Sequence, residues 1–120
     1  MKILIIGTNG QVGNEILNLF KKKYNCISIS RNEWDMSIHS QHGYELTKKY
    51  KPEIIVNAAA YTDVEKAETD IINLNLVNVK SLESLVKGCK EFNIPLIHIS
   101  SDYVFDGTKN QPYFENDIAN

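Results

Sequence analysis

The chain has 120 residues, with 13 Lys and Arg against 15 Asp and Glu, a net charge of −2 and 42% hydrophobic residues. That length suits a single core, burying roughly 65% of the surface an unfolded chain exposes, and excludes a second full domain. The slight acidity, with no basic stripe, argues against nucleic acid as a partner, and the longest apolar stretches fall short of the ~18 residues of a membrane span.

The first element in chain order is a short, β-branched apolar run at 2–6, stopped by Gly7, which reads as a buried strand. It is too short for the core of an export signal, so a cytoplasmic protein is expected. From 11 to 23 the residues Val12, Ile16, Leu17 and Phe20 recur at helical spacing, and the Lys21-Lys22-Lys23 run suits the negative end of a helix dipole. A second strand is expected at 26–29 and a weaker helix at 40–50, carrying Leu46 and Tyr50. Pro52 stops that helix before a third strand at 54–57.

A long helix follows, with Ile71, Leu74, Asn78, Leu82 and Leu85 on one stripe, running to about Phe92 before Asn93 and Pro95 end it. A fourth strand is expected at 96–100. Strands that are continuous apolar runs, alternating with helices, predict parallel strands covered on both faces. The expected fold is a doubly wound, Rossmann-like α/β sheet of about four strands with right-handed crossovers. The polar stretch after Gly107 has no clear period.

The strongest chemical signal is Gly7-Thr8-Asn9-Gly10-Gln11-Val12-Gly13, where the first strand turns into the first helix. Glycines there let the backbone turn tightly and approach a pyrophosphate, whose charge the helix N-terminus stabilises. The spacing is G-x-x-G-x-x-G and not G-x-G-x-x-G. On spacing alone it fits a nucleotide site or a plain glycine-rich turn, and the flanking strand and helix favour the nucleotide. The acidic residue expected at the end of the second strand is replaced by Ser30-Arg31. An absent carboxylate together with a guanidinium leans toward NADP, although Arg31 also fits a solvated loop residue.

Ligands of such sheets lie beyond the carboxyl ends of the strands, which directs attention to residues 57–62 and 100–103. Asn75 and Asn78 read as satisfied buried amides or as braces of the site. Trp34 reads as a packing residue that could also cover an adenine edge. His39, His42 and His98 lack companions for a metal, and the acidic cluster Asp63, Glu65, Glu68 and Asp70 fits a solvated helix start. Cys26 and Cys89 form no C-x-x-C and are expected to be free thiols.

Three segments together carry a resemblance: Gly7 to Gly13, Val56-Asn57-Ala58-Ala59-Ala60-Tyr61-Thr62-Asp63-Val64-Glu65-Lys66-Ala67-Glu68, and Ser100-Ser101-Asp102-Tyr103-Val104-Phe105-Asp106-Gly107-Thr108. In this order they resemble the dTDP-4-dehydrorhamnose reductases, extended short-chain dehydrogenases, over essentially the whole chain. The resemblance implies hydride transfer from NADPH or NADH, with a lean to NADPH, to the 4-keto group of a nucleotide-linked 6-deoxy sugar, giving dTDP-L-rhamnose for polysaccharide. It implies that Gly7, Gly10, Gln11, Val12 and Gly13 form the pyrophosphate loop and that Ser30 and Arg31 face the adenosine ribose. Asp35 and Met36 would meet the adenine. Ala60, Tyr61, Thr62 and Ile99 would line the nicotinamide side, with Ser101 and Asp102 toward the sugar and Ser101 catalytic.

Ser101 stands where the family usually has threonine, which keeps the hydroxyl. The family's Tyr-x-x-x-Lys proton donor belongs shortly beyond Asn120, so residues 1–120 are expected to be the N-terminal cofactor-binding part of a longer reductase, without its C-terminal substrate lobe and inactive alone. Tyr44 and Lys48 share that spacing, but before the third strand, and read as a packing tyrosine and a solvated lysine. The expected partner is a nucleotide-sugar substrate, with no metal, nucleic acid or membrane, and with a homodimer open to the full-length protein. Two alternatives from related proteins remain: an NADP-binding regulatory protein like the β subunit of methionine adenosyltransferase, and another sugar-nucleotide epimerase or dehydratase.

Overall fold

The computed structural model describes residues 1–119, with the Asp102 side chain outside the described set. Its strands are β1 (Lys2–Ile6), β2 (Asn25–Ile29), β3 (Ile54–Asn57) and β4 (Leu96–His98), joined in one sheet of order β2-β1-β3-β4. Every neighbouring pair is parallel, with Ile3 beside Cys26 and Ile54, and Ile55 beside Leu96. β1 and β3 are central and almost wholly buried, because their apolar side chains point both up and down into helix layers.

Helix α1 (Gln11–Phe20) places Ile16, Leu17 and Phe20 against Ile3, Ile5 and Val56 on one face. On the other face Leu4, Ile6 and Ile55 pack with Leu46 of α2 (His42–Tyr50) and with Leu85 and Cys89 of α5 (Ser81–Phe92). Burial pushes the Cys89 thiol up, and neither cysteine is in a disulfide. Alternating residues of β1 thus feed two separate cores, as the period of two along a strand requires.

The expected helix to residue 23 ends earlier, at Phe20, with Lys21 as its C-cap, so the lysine run follows the helix and does not form its last turn. The single helix expected from Ile71 is interrupted: α4 (Ile71–Asn75) passes through a π-helical turn, Leu76–Lys80, before α5. Ile71 is 64% exposed, so the predicted stripe does not begin there. A short helix, α3 (Val64–Ala67), precedes it, capped by Asp63, whose carboxylate accepts from Lys66 N–H at 3.0 Å. Asn93 ends α5 in the left-handed conformation that asparagine tolerates.

β4 stops at His98, two residues short of the expected end, and Ile97 and Ile99 are 49% and 42% exposed. Among the described residues no helix is long and apolar enough to cross a membrane.

Candidate functional site

The topology switches direction between β1 and β3: the chain leaves β1 toward β2 on one side and reaches β4 from β3 on the other. Connections diverging from adjacent strands leave a crevice above their carboxyl ends. A cleft of about 480 Å³ lies there, bounded by Gly7, Asn9 and Gly10 after β1, by residues 58–62 after β3, and by Ser30, Arg31 and Asp35 after β2.

The glycine loop is shaped by close approach. Gly7 has φ +87°, and a Cβ built on it would lie 2.7 Å from Ala59 N, so a side chain would meet both strain and the β3 loop. A Cβ on Gly13 would collide with the Gly7 carbonyl oxygen, which ties the first turn of α1 to the loop. Gly7 N–H donates to Ile29 O at 2.8 Å, and the Thr8 and Ser28 hydroxyls are 2.7 Å apart, so the loop is also fixed to β2. Gly10 is the N-cap of α1 and brings no capping side chain. The helix therefore presents first-turn N–H groups and the positive end of its dipole beside the cleft.

The β3 side is held by two amides. Asn57 is 3% exposed; its Oδ1 accepts from Ala59 N–H at 3.1 Å, and its Nδ2 faces His98 Nδ1 at 3.1 Å. With Oδ1 occupied by a donor, Nδ2 is the group that donates to the ring, so Nδ1 is an unprotonated acceptor. His98 is exposed as a residue, and partial desolvation of its ring pushes its pKa down, in keeping with a neutral ring. Asn78, carried on the π-helical turn, accepts from Tyr61 N–H at 2.8 Å. Asn78 is half-buried and braces the β3 loop from the π turn, whereas Asn75 is exposed and not the buried amide its place on the helical stripe predicts.

Tyr61 OH donates to Asp70 Oδ2 at 3.0 Å, and Asn73 Nδ2 donates to Asp70 Oδ1 at 2.9 Å. Desolvation, then the Asp70 carboxylate, push the Tyr61 phenol up, while the bond from Asn73 leads in holding Asp70 down. Tyr61 is thus a fixed wall and a poor proton donor.

Asp70 was expected on a solvated helix start; it lines the cleft with Lys66, Asn73 and Val77, all missed from sequence. Nothing in local periodicity signals a contact that forms only when α3 and α4 fold back over the β3 loop.

At the end of β2, Arg31 Nε donates to Asp35 Oδ2 at 3.0 Å, and Glu33 Oε2 accepts from Ser30 N–H at 2.7 Å and from the Ser30 hydroxyl. The Ser37 hydroxyl leads, ahead of Arg31, in holding the Asp35 carboxyl low. Met36 is buried with Trp34 in the core beneath the cleft and receives the Ser81 hydroxyl at 3.3 Å. Trp34 both packs and lines the cleft, with its indole N–H donating to His39 O at 2.9 Å.

Of the residues expected at a site, Gly7, Gly10, Ser30, Arg31, Asp35, Met36, Ala60, Tyr61 and Thr62 come together at the cleft. Gln11, Val12, Ile99 and Ser101 lie outside its lining, and Gly13 is buried behind the loop. The Asp102 side chain, expected toward the sugar, lies outside the described residues. Tyr44 donates to Glu91 at 2.7 Å and packs its ring 5.9 Å from that of Phe92, away from the cleft, while Lys48 is exposed. Among the described residues, no group of three or more His, Cys, Asp and Glu could hold a metal.

A parallel sheet with its cleft at the switch point, floored by a glycine turn into a helix, defines a doubly wound, Rossmann-like α/β domain. The family model described as RmlD substrate binding domain matches residues 1–120, and the chain belongs to that family. It is 38% identical over 117 residues to a dTDP-4-dehydrorhamnose reductase of Burkholderia thailandensis, covering 98% of this chain and 39% of the relative.

Among solved structures it is similar to a dTDP-4-dehydrorhamnose reductase from Clostridium acetobutylicum, with a TM-score of 0.90 and 32% identity over 100% of this chain and 43% of that one. It is also similar to the Bacillus anthracis dTDP-4-dehydrorhamnose reductase in complex with NADP, with a TM-score of 0.87 and 25% identity over 98% of this chain and 42% of that one. The chain therefore spans about two-fifths of the length of the curated relatives it matches.

Proposed function

We propose that residues 1–120 are the cofactor-binding part of an NAD(P)H-dependent reductase, and that the full-length protein converts dTDP-4-dehydrorhamnose to dTDP-L-rhamnose in the cytoplasm. The observation that carries this reading is the cleft itself. Bare backbone at Gly7 and Gly10 and the uncapped start of α1 suit a pyrophosphate, and the volume of about 480 Å³ lies within the range of cofactor and small-molecule sites. The nicotinamide, when bound, supplies the hydride.

The chain's residues bind and orient. Residues 58–60, being alanines, let a flat ring lie against the backbone, while Asn57 and Asn78 fix the loop that carries them. Ser30, Arg31 and Asp35 take the adenosine end, with Arg31 favouring the 2′-phosphate of NADPH. Ser101 offers its hydroxyl to the keto oxygen, and proton donation falls to a tyrosine and lysine of the full-length protein.

The test is the loss of reduced-nicotinamide absorbance when the full-length protein is mixed with NADPH or NADH and the dTDP-linked 4-keto-6-deoxy sugar. Turnover of the keto sugar is expected. Firm cofactor binding with no reduction of it would contradict the enzyme reading and leave a regulatory nucleotide-binding protein.

A further inference from the structure

Just outside the cleft's lining, an acid that its sequence position conceals is bonded to Ser30, at the end proposed for the adenosine. Position 30, where a Rossmann-like strand usually ends in a carboxylate, holds serine, yet the turn that follows brings the Glu33 carboxylate back onto it. Glu33 Oε2 accepts from Ser30 N–H at 2.7 Å and also from the Ser30 hydroxyl, which in turn accepts from Asn32 N–H at 3.2 Å. The two donors that a 2′-phosphate would draw on at Ser30 are thereby taken. The Arg31 guanidinium, whose side chain is 74% exposed, is shared with Asp35. The bonds from Ser30 hold the Glu33 carboxyl below the usual range, so it is charged at neutral pH.

A ribose 2′-hydroxyl can donate to such a carboxylate. A 2′-phosphate can only accept, and it brings about two negative charges of its own. We propose that Glu33 is a specificity-determining residue of the adenosine subsite, where its carboxylate opposes the 2′-phosphate and offsets the attraction of Arg31, so that NADH and NADPH are held with similar affinity. The inference rests on the cofactor reading above and deepens it.

Glu33→Gln keeps the side chain's length and an oxygen for Ser30 while removing the charge. Dissociation constants of NADPH and NADH are measured on the full-length protein and on this variant. NADPH should bind about tenfold more tightly to the variant, the order expected of one surface charge a few ångströms from the phosphate, with NADH changed less than about twofold. Equal shifts for the two, or none, overturn the inference and leave the cofactor reading intact. A wild type that binds neither dinucleotide overturns both.

Adenosine 2′,5′-bisphosphate and adenosine 5′-monophosphate provide a check that needs no variant. Competition against bound NADH should give affinities within about tenfold of each other, and a preference of about a hundredfold or more for the bisphosphate overturns the inference.

Discussion

At the β1–α1 turn the cleft wall is bare backbone packed against backbone, whereas at the end of β2 it is a set of charged side chains already paired with one another. Gly7 and Gly13 have no room for a single added carbon, and any change there moves the floor of the sheet's central strand. Ser30, Arg31 and Asp35 line the cleft there, with Glu33 bonded to Ser30 just outside it, and these contacts run largely through side chains. On the proposed reading, the first wall decides whether a dinucleotide fits and the second decides which one. The β3 loop stands between them: it is backbone in its contact surface, but it is held by side-chain amides from Asn57 and Asn78.

The contrast is broken most severely by Gly13→Ala. The new carbon drives into the Gly7 carbonyl, and a loss of about 3 kcal/mol of stability is expected in urea unfolding, along with loss of NADH binding. A stability near that of wild type would mean the loop is loose and the backbone wall is not a fixed one. Next comes Asn57→Leu, which leaves Ala59 N–H without its acceptor and His98 without its donor. About 2 kcal/mol is expected from the same measurement.

Asn78→Ala releases Tyr61 N–H, and with it the orientation of the loop proposed to face the nicotinamide. Cofactor affinity measured by fluorescence titration should fall about fivefold, equally for NADH and NADPH, because the defect lies far from the ribose phosphate. The smallest effect is a pH dependence. The folded state lowers the His98 pKa below its ordinary 6.5, so the unfolded state binds the proton more readily. That contribution to stability is present above 6.5 and is lost as the pH falls through the folded value. The thermal midpoint should drop between about pH 7 and about pH 5, and His98→Gln should flatten that drop.

Much of the fold was legible because its signals are local. Apolar runs at β1 and β3, cut by Gly7 and Pro52, announce buried parallel strands, and Asn93 with Pro95 announces the end of α5. The break at Leu76–Lys80 was not legible, since the apolar residues on either side of it can still be joined by three- and four-residue steps. The turn carries Asn78, whose partner, Tyr61 N–H, is distant in sequence.

The site divides the same way. Gly7 and Gly10 and the loop after β3 were legible from their place at strand ends. Asp70 and Lys66 were hidden because they reach the cleft only through the fold-back of α3 and α4. Glu33 was hidden by three residues of turn: it is not at the strand end itself, and only the fold brings its carboxylate onto Ser30.

The most direct test of the account is hydrogen exchange on the full-length protein with and without NADPH. Slowed exchange is expected in residues 7–13, 30–36 and 58–62 together, with residues 42–50 of the back layer unchanged. Protection absent from the glycine loop, or confined to segments outside these three, would contradict the assignment of this cleft as the dinucleotide site.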